Sequence, residues 1–383
     1  MGLEVKDTTT TTWNQTPAPK NFWNSIASST DGVKLAAVVY GEGIYTSENS
    51  GQTWTNTSAP KTDWSSIASS ADGVKLTAVV STDGIWKSEN SGETWKSTTA
   101  PKTGWFSIAS SADGVKLAVL PSTTGYIYTS EDGGITWIQT LSLSQTWYSI
   151  ASSADGVKLA ATGANNNDGK CIWTSSDSGS NWVKQDVENY FWNSIASSAD
   201  GDKLAAVVND GGIWISKDSG VTWDKTSAPN KYWQSIASSA NGVKLAAVVN
   251  DGGIWTSEDS GVTWINTDAP FNSWTSISSS ADGSKLAAVV YNGGIYTNYY
   301  DPYICNCTFD SVNLTDIFES GTSLNIKTNY YILNRAGNKR DISSIFAPND
   351  GYGPTIVTNY KFKDSNGISK DIGSAFKVKS SYY

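Results

Sequence analysis

The chain contains no histidine in its 383 residues. That removes Ser-His-Asp and Cys-His nucleophile systems, histidine general bases and histidine metal ligands. Arginine is nearly absent as well. Arg335 and Arg340 are the two present, so residues 1–300 hold no guanidinium to clamp a carboxylate or phosphate. Cys171, Cys305 and Cys307 are too few for a disulfide framework, and a C-x-C clip at 305–307 would need two more metal ligands; they read as incidental thiols. No apolar run approaches the roughly 18 residues of a membrane helix, so membrane insertion is not expected. Residues 1–20 are polar and Thr-rich, without the apolar core of a secretory signal. Charged residues make up only 16% of the chain, and the net charge of −9 argues against nucleic acid and anionic membranes as partners.

What is present is aromatic. Eighteen Trp, 18 Tyr and 9 Phe stand in a background rich in Ser, Thr, Asn and 34 Gly, enough apolar surface to exclude a disordered chain. The charge is uneven: residues 1–300 hold 18 Lys against 28 acidic groups, a net of −10, and residues 301–383 hold 9 basic against 8 acidic, a net of +1. Two domains are expected, 1–300 and 301–383.

A repeat organises the first. The pattern W-x-S-I places Trp at 23, 64, 105, 147, 192, 233 and 274, at spacings of 41, 41, 42, 45, 41 and 41. Each copy continues as S-S-A-D-G-x-K-L, a short apolar run, a Gly-rich turn and I-W/Y-T-S-x-D-S-G-x-T-W. A period near 41 fits a propeller blade of four short strands, A to D. The longest departure is an Asn-rich insertion at Ala164–Lys170, between strands B and C of the fourth copy. Seven A strands occur, but the strand-D Trp follows only six of them, at 54, 95, 137, 182, 223 and 264. Trp13, 41 residues before Trp54, supplies the seventh, so Thr9–Gln15 is expected to complete the last blade. The expected fold is all-β: a seven-bladed β-propeller closed by an N-terminal strand, with a small C-terminal repeat domain.

The six segments Ser47–Trp54, Ser88–Trp95, Ser130–Trp137, Ser175–Trp182, Ser216–Trp223 and Ser257–Trp264 share the form S-x-D-x-G-x-T-W. They resemble the Asp-box, or BNR repeat, of sialidase-like and photosystem II assembly-factor-like propellers, a likeness covering residues 7–300. The resemblance implies a structural role for Asn49, Asn90, Asp132, Asp177, Asp218 and Asp259, each capping the C–D turn while Gly takes the positive φ. It also tempts one toward sialidase activity. That family binds its substrate carboxylate with an arginine triad, which residues 1–300 cannot provide. A hydrolase built on two carboxylates remains as an alternative, although acidic residues that recur blade after blade read as structural. No enzyme activity, catalytic residue, metal or cofactor is expected.

The D–A and B–C loops hold the candidate ligand residues: Phe22, Trp23, Phe106, Tyr190, Phe191 and Tyr232 with Asp210, Asp251 and Asn292. Aromatic faces beside carboxylates and amides suit a neutral glycan. The plainer reading is that each strand-A Trp wedges between blades, which leaves the varying aromatics as the better candidates. Lys34, Lys75, Lys116, Lys158, Lys203, Lys244 and Lys285 follow each A–B turn; they read as a ring for an anion or, more plainly, as partners of nearby Asp.

Residues 308–383 carry a second repeat. N/D-L/I-T/S-D/S-I-F-like segments fall at Asn313–Phe318, Asp341–Phe346 and Asp371–Phe376, with T-N-Y at 328–330 and 358–360, reading as short turn or helical elements alternating with strands. These resemble short repeats in structural proteins of large DNA viruses. The likeness implies a non-enzymatic virion component, located in the virion, whose tail docks to capsid or other virion proteins and whose propeller binds a surface glycan or receptor. Five Lys against Asp364 and Asp371 in the last 23 residues, a net of +3, suit such a docking end. The alternative is a cellular assembly factor or scaffold of the photosystem II assembly-factor type, and a glycoside hydrolase stands third.

Overall fold

Strand-forming and turn-forming residues separate along each 41-residue unit, and the backbone follows that separation. The computed structural model describes residues 13–165 and 169–298 and six short strands between 331 and 378. Blade 1 sets the pattern: strand A at Trp23–Ser28, B at Leu35–Glu42, C at Ile44–Ser47 and D at Thr55–Asn56, each antiparallel to the one before. Five further blades repeat it across 62–97, 105–139, 146–184, 192–225 and 231–266. Blade 7 takes A, B and C from Trp274–Ser279, Leu286–Val290 and Ile295–Thr297. Its strand D is Asn14–Gln15, with Asn14 opposite Thr297 and Gln15 opposite Tyr296. Of the expected closing strand Thr9–Gln15, residues before Trp13 lie outside the described residues. The fold is an all-β propeller.

Strand B explains the core. Its L-A-A-V-V run is buried at every position because a blade is covered on both sides by its neighbours. Each strand-A Trp is almost completely enclosed. It packs edge-on against the aromatic of strand C and, in six blades, tilted against the Trp of strand D: Trp23 lies 5.3 Å from Tyr45 and 6.5 Å from Trp54. Trp13 takes the same place in blade 7, 6.3 Å from Trp274. A β-bulge follows the strand-A Trp in all seven blades, where Trp23 opposes Val39 but Ser25 opposes Val38. The extra residue is thereby turned toward the next blade. Asn24, Ser65, Asn193 and Thr275 use this position to donate to the carbonyls of Trp64, Trp105, Trp233 and Trp23 at 2.7–2.9 Å.

Main-chain bonds close the circle. Thr30 N donates to Ala71 O, and the relay continues through Ala112, Ala154, Ala199, Ala240 and Ala281, which donates back to Thr30 O; the distances are 2.7–2.8 Å. At five seams a Ser hydroxyl of one strand A also accepts the next blade's Ile N–H, as Ser25 does from Ile67 at 3.4 Å. At those seams a Ser of the repeat's Ser-rich stretch helps hold the blades together.

By compactness, the chain divides into Thr10–Tyr300 and a second unit made of Met1–Thr9 with Asp301–Tyr383. In that unit Tyr331–Leu333 pairs with Lys339–Asp341, Lys361–Lys363 pairs with Ser369–Asp371, and Phe346–Pro348 pairs with Phe376–Val378. The expected helical or turn element is replaced at both of its ends: Asp341 and Asp371 end strands, and Phe346 and Phe376 begin them. The copy at Asn313–Phe318, both T-N-Y segments, Cys305 and Cys307 lie outside the described residues.

Candidate functional site

The two ends of the propeller differ, and the A–B and C–D turns make up the first. In the A–B turn of blade 1, Ser29 Oγ donates to Asp31 Oδ1 at 2.6 Å and accepts from Lys34 N at 2.9 Å, while Val33 N donates to the same carboxylate at 2.9 Å. These bonds, led by the Ser29 hydroxyl, hold Asp31 below the usual carboxylate range. In the C–D turn of blade 3, Asp132 accepts from Thr136 Oγ1 at 2.6 Å and Thr136 N at 2.8 Å, and Ser130 Oγ donates to it at 2.9 Å. The Thr136 hydroxyl and amide, ahead of Ser130, bring the Asp132 carboxyl down to about 2. Asp177, Asp218 and Asp259 repeat the arrangement. Asn49 and Asn90 do so without a charge. All six side chains hold turns. One detail departs from the sequence reading: the positive φ is not taken by Gly alone, because Ser50, Ser91, Ser178, Ser219 and Ser260 also adopt φ of 54–60°.

The lysines are corrected more fully. Each lies across to the next blade, its aliphatic stem against a turn Gly: a Cβ on Gly156 would sit 2.6 Å from Lys116 Cβ. Their ammonium groups reach hydroxyls or carbonyls there, Lys34 to Ser91 Oγ at 3.0 Å, Lys116 to Ser178 Oγ at 3.1 Å and Lys75 to Asp113 O at 2.9 Å. Of the ring, only Lys158 forms an ion pair among the described residues, with Asp202. These contacts replace an anion ring with a set of blade-to-blade clasps. The clefts beside them, such as that lined by Lys34, Leu35, Ser47 and Ser91, enclose about 10 Å³, room for one water.

The opposite end is built from the D–A and B–C loops. Asp210, Asp251 and Asn292 are exposed and adopt φ of 57, 51 and 53°, so their first role is the left-handed turn that Asp and Asn tolerate. Asp251 also accepts the Ser273 hydroxyl. Trp23 is removed from the ligand candidates: it is 0% exposed, and its indole N–H is given to Pro19 O at 3.2 Å. Tyr190 packs on Trp192 and Trp214 at 5.9 and 5.8 Å, and its hydrogen bond to Glu188 raises its phenol above the ordinary value. Phe191 lies 4.8 Å from Tyr148 with Lys170 Nζ 4.0 Å above its ring. Phe106 occupies the bulge position and is exposed, as is Tyr232.

Two positions alternate around this end, the residue before each strand-A Trp and the residue after each V-V of strand B. Backbone bonds tie them within a blade (Tyr40 N to Phe22 O, Ser81 N to Asp63 O, Tyr291 N to Ser273 O). Ladder pairs tie them between blades, with Tyr40 opposite Asp63 and Asn209 opposite Tyr232. Read round the ring from blade 7, the residues are Ser273, Tyr291, Phe22, Tyr40, Asp63, Ser81, Gly104, Ser122, Thr146, Ala164, Phe191, Asn209, Tyr232 and Asn250. Tyr291, Phe22 and Tyr40 are consecutive and 50, 42 and 47% exposed, and the Phe22 and Tyr291 rings meet at 5.2 Å. Sequence reasoning named Phe22 but missed Tyr40, Tyr291 and the exposed Phe271. The available signal was the variation Tyr, Ser, Ser, Ala, Asn, Asn, Tyr at one otherwise repeated position. Among the described residues, no three His, Cys, Asp or Glu side chains gather to hold a metal.

The class this geometry defines is a β-propeller with a shallow aromatic end. Solved structures of the same architecture include YCF48 from Cyanidioschyzon merolae, at TM-score 0.59 and 15% identity over 74% of this chain and 98% of that one. A structure described as YCF48 bound to D1 peptide matches at TM-score 0.60 and 16% identity over 76% and 97%. At such identities the likeness concerns the fold. No family model and no curated protein sequence matches the chain.

Proposed function

We propose that the chain is a non-enzymatic scaffold that binds a protein partner through the D–A and B–C end of its propeller. The observation that carries this reading is the contrast between the ends. The polar groups of the repeat are consumed by turns and seams, and the C–D turns expose the aliphatic Ile135, Val221 and Val262, while the D–A and B–C end exposes the aromatic Phe22, Tyr40, Phe106, Tyr232, Phe271 and Tyr291. Exposed aromatics of this density suit a partner better than solvent. A propeller of similar fold has been solved with a peptide bound, which supports a peptide-binding role over the glycan and virion roles that the sequence suggested. The virion reading rests on sequence resemblance. The non-enzymatic part of the reading is supported by the turn carboxylates, whose hydrogen bonds favour the ionised form and suit them to holding turns better than to acting as general acids.

Panning the full chain against a displayed random-peptide library tests the proposal. Peptides that bind reproducibly and compete with one another are expected. A chain that enriches no peptide but binds an oligosaccharide on a glycan array would refute it.

A further inference from the structure

Resting on that reading, we propose that the arc Tyr291–Phe22–Tyr40, with Asp63 and Asp251 at its two ends, is the docking strip, and that its occupant is an extended peptide carrying Arg or Lys. Three observations converge on it. The three aromatics are the one consecutive run in the fourteen-position ring; across blades 2 to 4 the same positions hold Ser81, Gly104, Ser122, Thr146 and Ala164. The arc is therefore a local departure in an otherwise repetitive molecule, and packing does not require it, because each ring is about half exposed.

The arc also ends in negative charge. At one end Tyr40 lies directly opposite Asp63 in the ladder. At the other, Tyr291 N bonds Ser273 O, and the Ser273 hydroxyl is held by Asp251. Neither Asp63 nor Asp251 is in an ion pair among the described residues; Glu42, also near Tyr40, is already matched by Lys61 at 2.5 Å. Aromatic faces flanked by unmatched carboxylates attract a cation twice, through the ring quadrupole and through Coulomb attraction. A neutral glycan would use the rings but leave both carboxylates idle, and an acidic segment would be repelled by them.

The propeller itself holds no guanidinium, and its 18 Lys are outnumbered by 28 acidic groups, a net charge of −10 over residues 1–300. A basic partner is thus complementary to the whole body as well as to the strip, which favours fast, salt-sensitive association. The strip also passes from the last blade to the first, where Asn21 bridges Gly293, so an occupant spanning Tyr291 to Tyr40 would bridge the two.

Fluorescence anisotropy with the full chain tests this, using a labelled Arg-Ser hexapeptide repeat, its Glu-Ser counterpart and chitohexaose as probes. The Arg-Ser peptide is expected to bind, to weaken at least tenfold with Phe22→Ala or Tyr291→Ser, and to lose part of its salt dependence with Asp63→Asn. Val221→Ala, in an exposed C–D turn at the opposite end, should leave binding unchanged, and unchanged melting of each variant shows that the fold is intact. Equal binding of the Glu-Ser peptide, a preference for chitohexaose, or insensitivity to the arc variants would overturn the inference. Peptides enriched by panning that bind elsewhere would overturn it while leaving the scaffold reading standing.

Discussion

The two ends of the propeller obey different rules although the same repeat builds both. At the A–B and C–D end, seven copies converge on one solution: a Ser-held Asp or Asn, a left-handed Gly and a Lys laid across to the next blade. At the D–A and B–C end, the alternating positions run from Gly104 to Phe22 with no common chemistry. In a closed ring every seam must fit, so uniformity marks the residues that make the seams. Variation marks positions the ring does not constrain, and those are where binding can be placed.

The largest effect should come from reopening the ring. Deleting residues 1–16 removes Trp13 and strand D of blade 7; the loss of the buried Trp alone is worth about 3–5 kcal/mol, and urea unfolding should show at least that. An unchanged midpoint would mean that the N-terminal strand does not close the propeller. Adjacent residues then give a sharp contrast. Trp23→Ala should cost about 3–5 kcal/mol, whereas Phe22→Ala should stay within about 0.5 kcal/mol.

Glycine compares the two ends directly. Gly156→Ala faces both a φ of +69° and a Lys116 carbon at 2.6 Å, so about 2–4 kcal/mol is expected from strain plus overpacking. Gly84→Ala, on the B–C side with φ of +81° and nothing within 4 Å, should cost only about 1 kcal/mol. Equal losses would erase the distinction between the ends.

The smallest effect concerns pH. Asp132 has a folded carboxyl near 2 against an ordinary 3.8, so its contribution is complete above 3.8 and is lost as pH falls through about 2. The wild type should therefore lose stability between pH 4 and 2, and Asp132→Asn, which imitates Asn49, should flatten that slope. A steeper slope in the variant would contradict the turn-holding role. Separately, no turnover of a fluorogenic sialoside is expected from the pure chain, since residues 1–300 hold no arginine to fix its carboxylate.

Much of this was legible in the sequence because repetition averages away local ambiguity. The Trp spacing and the displaced Trp13 led to blade number and closure, and the S-x-D-x-G-x-T-W segments led to the turns. Three things were not legible. The bulge after each strand-A Trp has no sequence mark, yet it sends Asn24 and Thr275 across the seams and leaves Phe106 exposed. The Lys–Gly clasp joins different copies, and a repeat read one copy at a time cannot show a contact between copies. The arc of Tyr291, Phe22 and Tyr40 brings together residues from the two ends of the ring's sequence, with Phe22 and Tyr291 adjacent only because the circle closes. In the C-terminal unit, D-I-S-S-I-F contained both a strand end and a strand start, so its apolar spacing imitated a helical turn.

The relay from Thr30 through Ala281 and back to Thr30 has a consequence for copy number. Tandem units of similar sequence invite gain or loss of one unit by misaligned copying, and an open solenoid simply grows or shrinks when that happens. Here an added unit has to open one link of the closed relay. Entering between Ala281 and Thr30, it would break the link that returns to the start and hold strand C at Ile295–Thr297 away from Asn14–Gln15, leaving Trp13 without its pocket. The relay therefore acts as a tally: it admits units that differ in their loops and rejects a change in their number.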